Sequence, residues 1–260
     1  MSERQITLEV LRYRPESESE PVFQSYSVPC QEEWVVLDAL NYIKDNLDRT
    51  LSYRWSCHMA VCGSCGMVIN DNPMLSCKAF LRDLPDHIRV EPLHNFPIER
   101  DLMVELDDFM DKLKSVKPYL IPDQPVAEED GTYRQSSAQL KKYKPFAMCI
   151  NCMACYSVCP QYGLNEGFVG PAALALAHRY NVDSRDQGRR AREDVVASNT
   201  GIWECTFVGA CSEVCPKNVD PAAAIQQTKI ASTVDYFKDL LMPGKRDKSG
   251  NAKQAAGDGA

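Results

Sequence analysis

The 260-residue sequence has no long apolar segment, and no run approaches the ~18–20 residues that a helix needs to cross a bilayer. Its longest stretch of low polarity, residues 171–177, is short and rich in alanine. We therefore expect other subunits to hold the chain wherever it works at a membrane. The first residues also lack the apolar core of a secretory signal, and their glutamates argue against a mitochondrial transit peptide.

Positive charge is also scarce. The chain has 29 lysines and arginines against 36 aspartates and glutamates, a net charge of −7. No basic run extends beyond Arg189-Arg190-x-Arg192, which argues against a nucleic-acid partner. The 12 cysteines make up ~5% of the chain, below the ~8–10% of a small disulfide scaffold. Grouped cysteines at this density predict metal ligands in a reducing compartment.

Eleven of the twelve cysteines fall into two blocks with the spacings of two ferredoxin types. The first block is Cys57-x4-Cys62-x2-Cys65-x11-Cys77. The second is Cys149-x2-Cys152-x2-Cys155-x3-Cys159-Pro160, completed by Cys205-x5-Cys211-x3-Cys215-Pro216. Thiolates packed this densely hold irons bridged by sulfide, so the sequence predicts three iron–sulfur clusters. Cys30 fits neither block and is interpreted as an ordinary buried thiol.

The first block has the spacing of a plant-type 2Fe–2S site, with Cys57, Cys62, Cys65 and Cys77 as the predicted ligands. The glycines around Cys65 let the loop turn inward and aim amide N–H groups at sulfide. A structural zinc site is the main alternative, although zinc ligands usually come in pairs from two separated knuckles. A redox dithiol made by Cys62 and Cys65 alone would leave the other two cysteines without a role.

The second block follows the bacterial ferredoxin run, in which the fourth cysteine ligates the other cluster. This crossover predicts a 4Fe–4S site with four ligands, Cys149, Cys152, Cys155 and Cys215. The same crossover predicts that Cys159 is a ligand of the cluster held by Cys205 and Cys211. When the two runs are aligned, Val208 stands where the first run has Cys152. Since valine cannot bind iron, we predict a 3Fe–4S cluster there, with Val208 at the vacant ligand position.

Hydrophobic periodicity divides the chain into an N-terminal α+β part and a C-terminal helical part. The first has strand patterns at residues 6–10, 22–28, 66–69, 74–77 and 88–93, and we predict a hairpin between the first two and another between the third and fourth. One helix is predicted at 34–47, with an apolar stripe of Val36, Leu40, Ile43 and Leu47. Helix patterns follow, from Leu102 to Val116, after the capping box at Ser136, after Gly170-Pro171 and after Asp220-Pro221. We predict domains at residues 1–105 and 106–243, a linker near 122–131, and a disordered tail at 244–260.

Several motifs resemble those of the iron–sulfur subunits of the succinate dehydrogenase and fumarate reductase family. The resemblance covers roughly residues 5–242. Besides the cysteine runs, it includes Ser52-Tyr53-Arg54-Trp55-Ser56-Cys57, Asn95-Phe96-Pro97-Ile98-Glu99-Arg100-Asp101-Leu102 and Ala177-His178-Arg179-Tyr180. It implies an N-terminal β-grasp ferredoxin domain for the 2Fe–2S cluster. A helical dicluster domain would hold the 4Fe–4S and 3Fe–4S clusters.

The resemblance also implies a function and partners. Electrons from menaquinol or ubiquinol would pass through the three clusters to covalently bound FAD in a flavoprotein subunit. One or two hydrophobic anchor subunits would hold the chain at the cytoplasmic face of the bacterial inner membrane. The chain itself would carry no catalytic residue. Lys229 matches a lysine that lines the quinol pocket in fumarate reductases, and Phe207 and Gln226 are further candidates for that pocket.

Two sequence features indicate the direction of the reaction. Many ubiquinone-linked succinate dehydrogenases have a tryptophan pair two residues after the Cys-Pro of the bacterial run, where this chain has Gly163 and Leu164. The run that begins at Cys205 also looks like that of bacterial quinol:fumarate reductases. We therefore favour fumarate reduction over succinate oxidation. Two alternatives stay open: a zinc-stabilised interaction module, and a ferredoxin-like subunit of another redox enzyme such as a heterodisulfide-reductase-type protein.

Overall fold

The N-terminal part of the chain is built on a five-stranded mixed sheet with the spatial order β2-β1-β5-β3-β4. The computed structural model describes residues 4–122 and 131–241. The five strands are β1 (Gln5–Arg12), β2 (Val22–Pro29), β3 (Gly66–Ile69), β4 (Asn72–Leu75) and β5 (His87–Glu91). β1 pairs antiparallel with β2 and parallel with β5, and β3 pairs antiparallel with β4 and β5. The predicted α+β class is confirmed.

The alternation in β1 follows from its position in the sheet. Ile6, Leu8 and Val10 are buried in the first hydrophobic core, while the residues between them are partly exposed. This is the period of two that a sheet with one covered face requires. The hairpin that the sequence predicts between β1 and β2 is present, with Gln5 opposite Pro29 and Arg12 opposite Val22.

A helix, α1 (Val36–Tyr42), covers the sheet and ends in a π-helical turn (Ile43–Leu47). Val36, Leu40 and Ile43 are fully buried, as the predicted stripe requires, but Leu47 is exposed. The Asp48 N–H donates to the carbonyl of Ile43, five residues earlier. The wider turn rotates Leu47 away from the core, because an i→i+5 turn holds one residue more than the α-helical period.

The predicted hairpin between β3 and β4 exists, but its turn is shorter than predicted. Only Asn70 and Asp71 lie outside the pairing, and both have left-handed φ angles, 47° and 64°. This is the two-residue turn whose twist matches that of antiparallel strands. β4 therefore begins at Asn72 and includes Pro73, which an edge strand tolerates.

The segment after β5 departs most from the sequence prediction. A small hairpin, β6 (Ile98–Arg100) with β7 (Met103–Val104), precedes α2 (Asp107–Ser115). The prediction that the helix includes Leu102 is wrong, since Leu102 lies in the tight turn between β6 and β7. Its side chain is buried in the first core. In the sequence, Leu102 has the spacing from Leu106 and Phe109 that a helix would give, because the hairpin and the helix both bury apolar residues.

The C-terminal part is helical, and the described residues beyond Val104 contain no strand. Its helices are α3 (Ser137–Tyr143), α4 (Ala154–Ser157), α5 (Pro160–Leu164), α6 (Pro171–Asn181), α7 (Arg189–Val196), α8 (Ala210–Glu213) and α9 (Pro221–Leu241). The capping box at Ser136 is confirmed, because its hydroxyl accepts from the Gln139 N–H. Proline opens α6 and α9 as predicted. The predicted tail at 244–260 and most of the predicted linker lie outside the described residues.

The two parts are packed together. Leu93, Phe96 and Val104, which precede the predicted boundary at residue 105, belong to the second core with residues of α2 and α6. The boundary itself stays a prediction. Over residues 4–122 and 131–241, no helix combines the length and the apolar character needed to cross a membrane.

Candidate iron–sulfur sites

The first cysteine block lies in the loop between α1 and β3 and in the short helical turn after β4. Backbone N–H groups point at its sulfurs. Those of Met59, Val61 and Cys62 lie 3.3–3.4 Å from the Cys57 Sγ, and that of Ala60 lies 3.3 Å from the Cys77 Sγ. Amide dipoles aimed in this way stabilise negative charge on sulfur, which is what a loop around an anionic cluster must supply.

The environments of the first block differ from one cysteine to the next. Burial raises the pKa of Cys77 to about 12. Hydrogen bonding with the Ser64 side chain lowers the pKa of the exposed Cys62 to about 6. A bound cation lowers thiol pKa values and holds cysteines as thiolates. A positively charged iron pair would therefore hold both cysteines as thiolates, although their pKa values differ widely without it.

Four cysteines of the second block line one cavity, with about 410 Å³ of space free of protein atoms. They are Cys149, Cys152, Cys155 and Cys215, contributed by the run that leads into α4, by α4 itself and by the loop between α8 and α9. Burial raises the pKa of Cys152 to about 11, and it also raises the pKa values of Cys149 and Cys155. A bound cluster of cations would lower these pKa values and hold the cysteines as thiolates.

A second cavity of about 380 Å³ is lined by the other three cysteines, Cys159, Cys205 and Cys211. Phe207 and Val208 also line it. Burial raises the pKa of Cys211 to about 11 and also raises that of Cys159. This cavity therefore offers three sulfur donors where the first cavity offers four.

The two loops share one backbone shape although their sequences differ. In the run from Cys149, Asn151 and Met153 have left-handed φ angles of 53° and 62°. At the equivalent positions of the run from Cys205, Phe207 and Gly209 have φ angles of 63° and 88°. Each loop then enters a four-residue helix, α4 or α8. Val208 thus occupies the place in its loop that Cys152 occupies in the other.

The cysteines are arranged around volumes rather than around points. Among the described residues, no three His, Cys, Asp or Glu side chains converge on a position that could hold a single metal ion.

The three residues predicted to contact quinone lie near the second cavity. Lys229, on α9, donates from Nζ to the carbonyl oxygen of Cys205 at 2.7 Å, and its Nζ is 5.9 Å from the centroid of the Trp203 ring. Phe207 lines the cavity and is 57% exposed. Gln226 is half-buried and lies one helical turn before Lys229. Trp203 carries no recognisable sequence signal and was not predicted. The structure places Cys30 half-buried against the first core.

Asn95 is a positioning residue that the sequence reasoning did not identify. Its side-chain amide donates to the carbonyl oxygens of Tyr156, Ser157 and Cys159 at 3.0–3.2 Å. It therefore holds the end of α4, which lies between a cysteine of one cavity and a cysteine of the other. The left-handed φ of 66° at Asn95 suits asparagine. A Cβ at Gly163 would lie 2.6 Å from the Asn95 Oδ1, so any other residue there would displace the Asn95 side chain.

A β-grasp-type sheet with one cysteine loop, joined to a helical part with two cysteine-lined cavities, defines a multicentre ferredoxin-like electron-transfer protein. Residues 7–111 match the family model of a 2Fe-2S iron-sulfur cluster binding domain. Residues 145–219 match that of a 4Fe-4S dicluster domain.

Relatives identify the family. The chain is 58% identical to the fumarate reductase iron-sulfur subunit of Mycobacterium tuberculosis, over 92% of this chain and 97% of the relative. It is 54% identical to the same subunit of Escherichia coli O157:H7, over 92% and 98%. It is 36% identical to the succinate dehydrogenase iron-sulfur subunit of Coxiella burnetii, over 86% and 95%. The chain belongs to the family of iron–sulfur subunits of fumarate reductase and succinate dehydrogenase.

A solved structure supports the fold. A chain of the Mycobacterium smegmatis Sdh1 complex in the apo form superposes with a TM-score of 0.80 at 24% identity, covering 90% of this chain and 98% of that one. At this identity the likeness shows the fold alone. The predicted resemblance, with its β-grasp and dicluster architecture, is confirmed.

Proposed function

We propose that this chain carries electrons from quinol to the flavoprotein subunit of a fumarate reductase. The ligand sets are those predicted from the spacing, with Cys57, Cys62, Cys65 and Cys77 for a 2Fe–2S cluster and Cys149, Cys152, Cys155 and Cys215 for a 4Fe–4S cluster. Cys159, Cys205 and Cys211 hold a 3Fe–4S cluster. When bound, these clusters supply one-electron carriers with potentials tuned by their surroundings.

The observation that carries the proposal is the pair of cysteine-lined cavities joined by α4. Cys155 lines one cavity and Cys159 the other, so only three intervening residues separate the two centres along the chain. Phe207 and Val208 leave the second cavity open on an apolar, exposed side. A quinol could approach the three-cysteine site from this side, and Lys229 is placed to hydrogen-bond its oxygen.

Two exposed apolar surfaces support the proposed partners. Near the first cysteine loop, Trp55, Met59 and Val61 are exposed, and this surface would face the flavoprotein with its covalent FAD. On α9, the exposed apolar residues are Ile230, Val234, Tyr236, Phe237, Leu240 and Leu241. Burying such a patch against another protein is favourable, and we assign it to one or two membrane-anchor subunits. The complex would then sit on the cytoplasmic face of the bacterial inner membrane.

Fumarate reduction is favoured over succinate oxidation because the relatives that are 52–58% identical are fumarate reductase subunits, whereas the succinate dehydrogenase relatives are 34–36% identical. The test is to purify the assembled complex and compare quinol-dependent fumarate reduction with succinate-dependent quinone reduction. We expect the first to be faster with menaquinol. A complex that only oxidises succinate would reverse the direction. Colourless protein that contains zinc and no acid-labile sulfide would make the chain an interaction module instead.

Lys229→Ala should sharply slow quinol oxidation in an assembled complex, because the variant loses the cation beside the proposed quinol pocket. The Nζ also bonds the Cys205 carbonyl, so the variant must be shown to keep all three EPR signals. Lys229→Arg, which keeps the charge, is the matched control and should retain more activity. Unchanged quinol kinetics in a fully loaded Lys229→Ala complex would remove Lys229 from the pocket.

A further inference from the structure

Two glycines of the first cysteine loop lie directly against the backbone of the second block. A Cβ built at Gly63 would lie 2.5 Å from the carbonyl oxygen of Ile150 and 3.1 Å from the Cα of Cys152. A Cβ at Gly66 would lie 2.7 Å from the carbonyl oxygen of Cys152. The nearest atoms belong to the main chain, so they cannot move aside as the end of a flexible side chain would. Any other residue at either position would therefore require the two backbones to shift apart.

Backbone conformation alone does not explain the two glycines. Gly63 has a left-handed φ of 78°, so glycine is favoured there for two reasons. Gly66 begins strand β3 and has no left-handed φ, so its conformation would accept any residue. The close approach to Cys152 is the only feature that demands glycine at this position. Their position in the sequence predicts that these glycines let the loop wrap the first cluster, and the structure shows that they also lie against the second block.

The contact between the two loops is apolar and shared by both cysteine blocks. One hydrophobic cluster contains Cys65 and Cys77 from the first block together with Cys152 and Ala154 from the second. Ile150 packs against the same cluster. The two blocks therefore meet through packed protein, and their separation is fixed by how closely the two backbones can approach.

We propose that Gly63 and Gly66 are positioning residues that seat the first cysteine loop on residues 150–152 and so set the distance between the first and second centres. The proposal rests on the ligand assignment made under the proposed function. A methyl group at either position would push the backbones of the two loops apart. A single electron crosses this contact, with no bond made or broken, and the probability of that crossing falls steeply with distance.

The test is Gly66→Ala in the purified native complex, with EPR power saturation of the reduced first centre as the readout. A second reduced centre nearby speeds the magnetic relaxation of the first, and this effect falls steeply with distance. We expect the half-saturation power to shift toward that of an isolated centre while the iron content stays unchanged. Gly131→Ala is the control for an added methyl without a contact, because none of the described residues has an atom within 4 Å of that methyl.

Gly63→Asn is the second variant, since asparagine accepts a left-handed backbone and its effect would come from the contact. Unchanged relaxation in fully loaded Gly66→Ala protein would overturn the proposal. Loss of all three centres in both variants would also overturn it, because a local change of spacing should leave the third site loaded. Unsubstituted protein that lacks the two signals would instead contradict the proposed function.

Discussion

Val208→Cys should abolish the EPR signal of the proposed three-iron cluster and convert that site to a four-iron one. Val208 sits in a loop with the same left-handed pattern as the loop that carries Cys152. A thiol introduced there would take the position that Cys152 has relative to its own cavity. Because the cavity already has three cysteines on its lining, the added thiolate would complete a set of four. The measurement is EPR of the oxidised complex together with the iron content.

The control for this variant is Val208→Ala, which removes the isopropyl group and adds no donor. It should keep the three-iron signal. A Val208→Cys protein that retains the full three-iron signal would show that the side chain at position 208 does not reach the position where a fourth iron would bind. Because a fourth thiolate adds negative charge, we also expect the reduction potential of the site to fall and quinol to become a poorer donor to it.

Cysteine spacing predicted from sequence which cysteines of the second block line the same cavity, while the ligand sets themselves stay a prediction. Most of the proposed ligands of each cluster come from one short loop, so they lie close along the chain, and the crossover rule supplies the distant ones. Cys215 was placed with Cys149 by the crossover rule, and the structure has both on one cavity. The helix starts were equally accessible, because Ser136 and the prolines of α6 and α9 act on their immediate neighbours.

What sequence could not supply was the approach of distant segments. Gly66 looks like one more glycine of a cluster loop until Cys152, 86 positions later, is found against it. Asn95 has a polar side chain in a motif, and nothing local says that it caps α4. Leu102 keeps a helical spacing while lying in a hairpin. In each case the residue's role depends on a contact with a segment distant along the chain, whereas periodicity reports only on residues that are close in sequence.

Arg12 shows the same limit with a larger energetic consequence. Its guanidinium is almost fully buried, and its Nε donates to the Asp101 Oδ1 at 3.0 Å. Although burial lowers the pKa of Arg12, the hydrogen bonds to Asp101 and Asp48 outweigh it and raise that pKa. Asp101 also accepts from the backbone N–H groups of Tyr13 and Ser52. This carboxylate therefore fixes the start of the segment that leads to the first cluster loop.

Asp101→Ala should destabilise the N-terminal part by about 3–5 kcal/mol, because it leaves a buried guanidinium short of its main partner. The measurement is the temperature at which the visible absorbance of the first cluster is lost in the purified complex. For a chain of this size, 1 kcal/mol corresponds to roughly 2–4 °C. Asp86→Ala is the matched control, since the Arg4–Asp86 pair is largely exposed, with side chains 43% and 71% accessible. An exposed pair contributes about 0–1 kcal/mol. If both variants lost the cluster at the same temperature, the buried pair would not be what holds this segment in place.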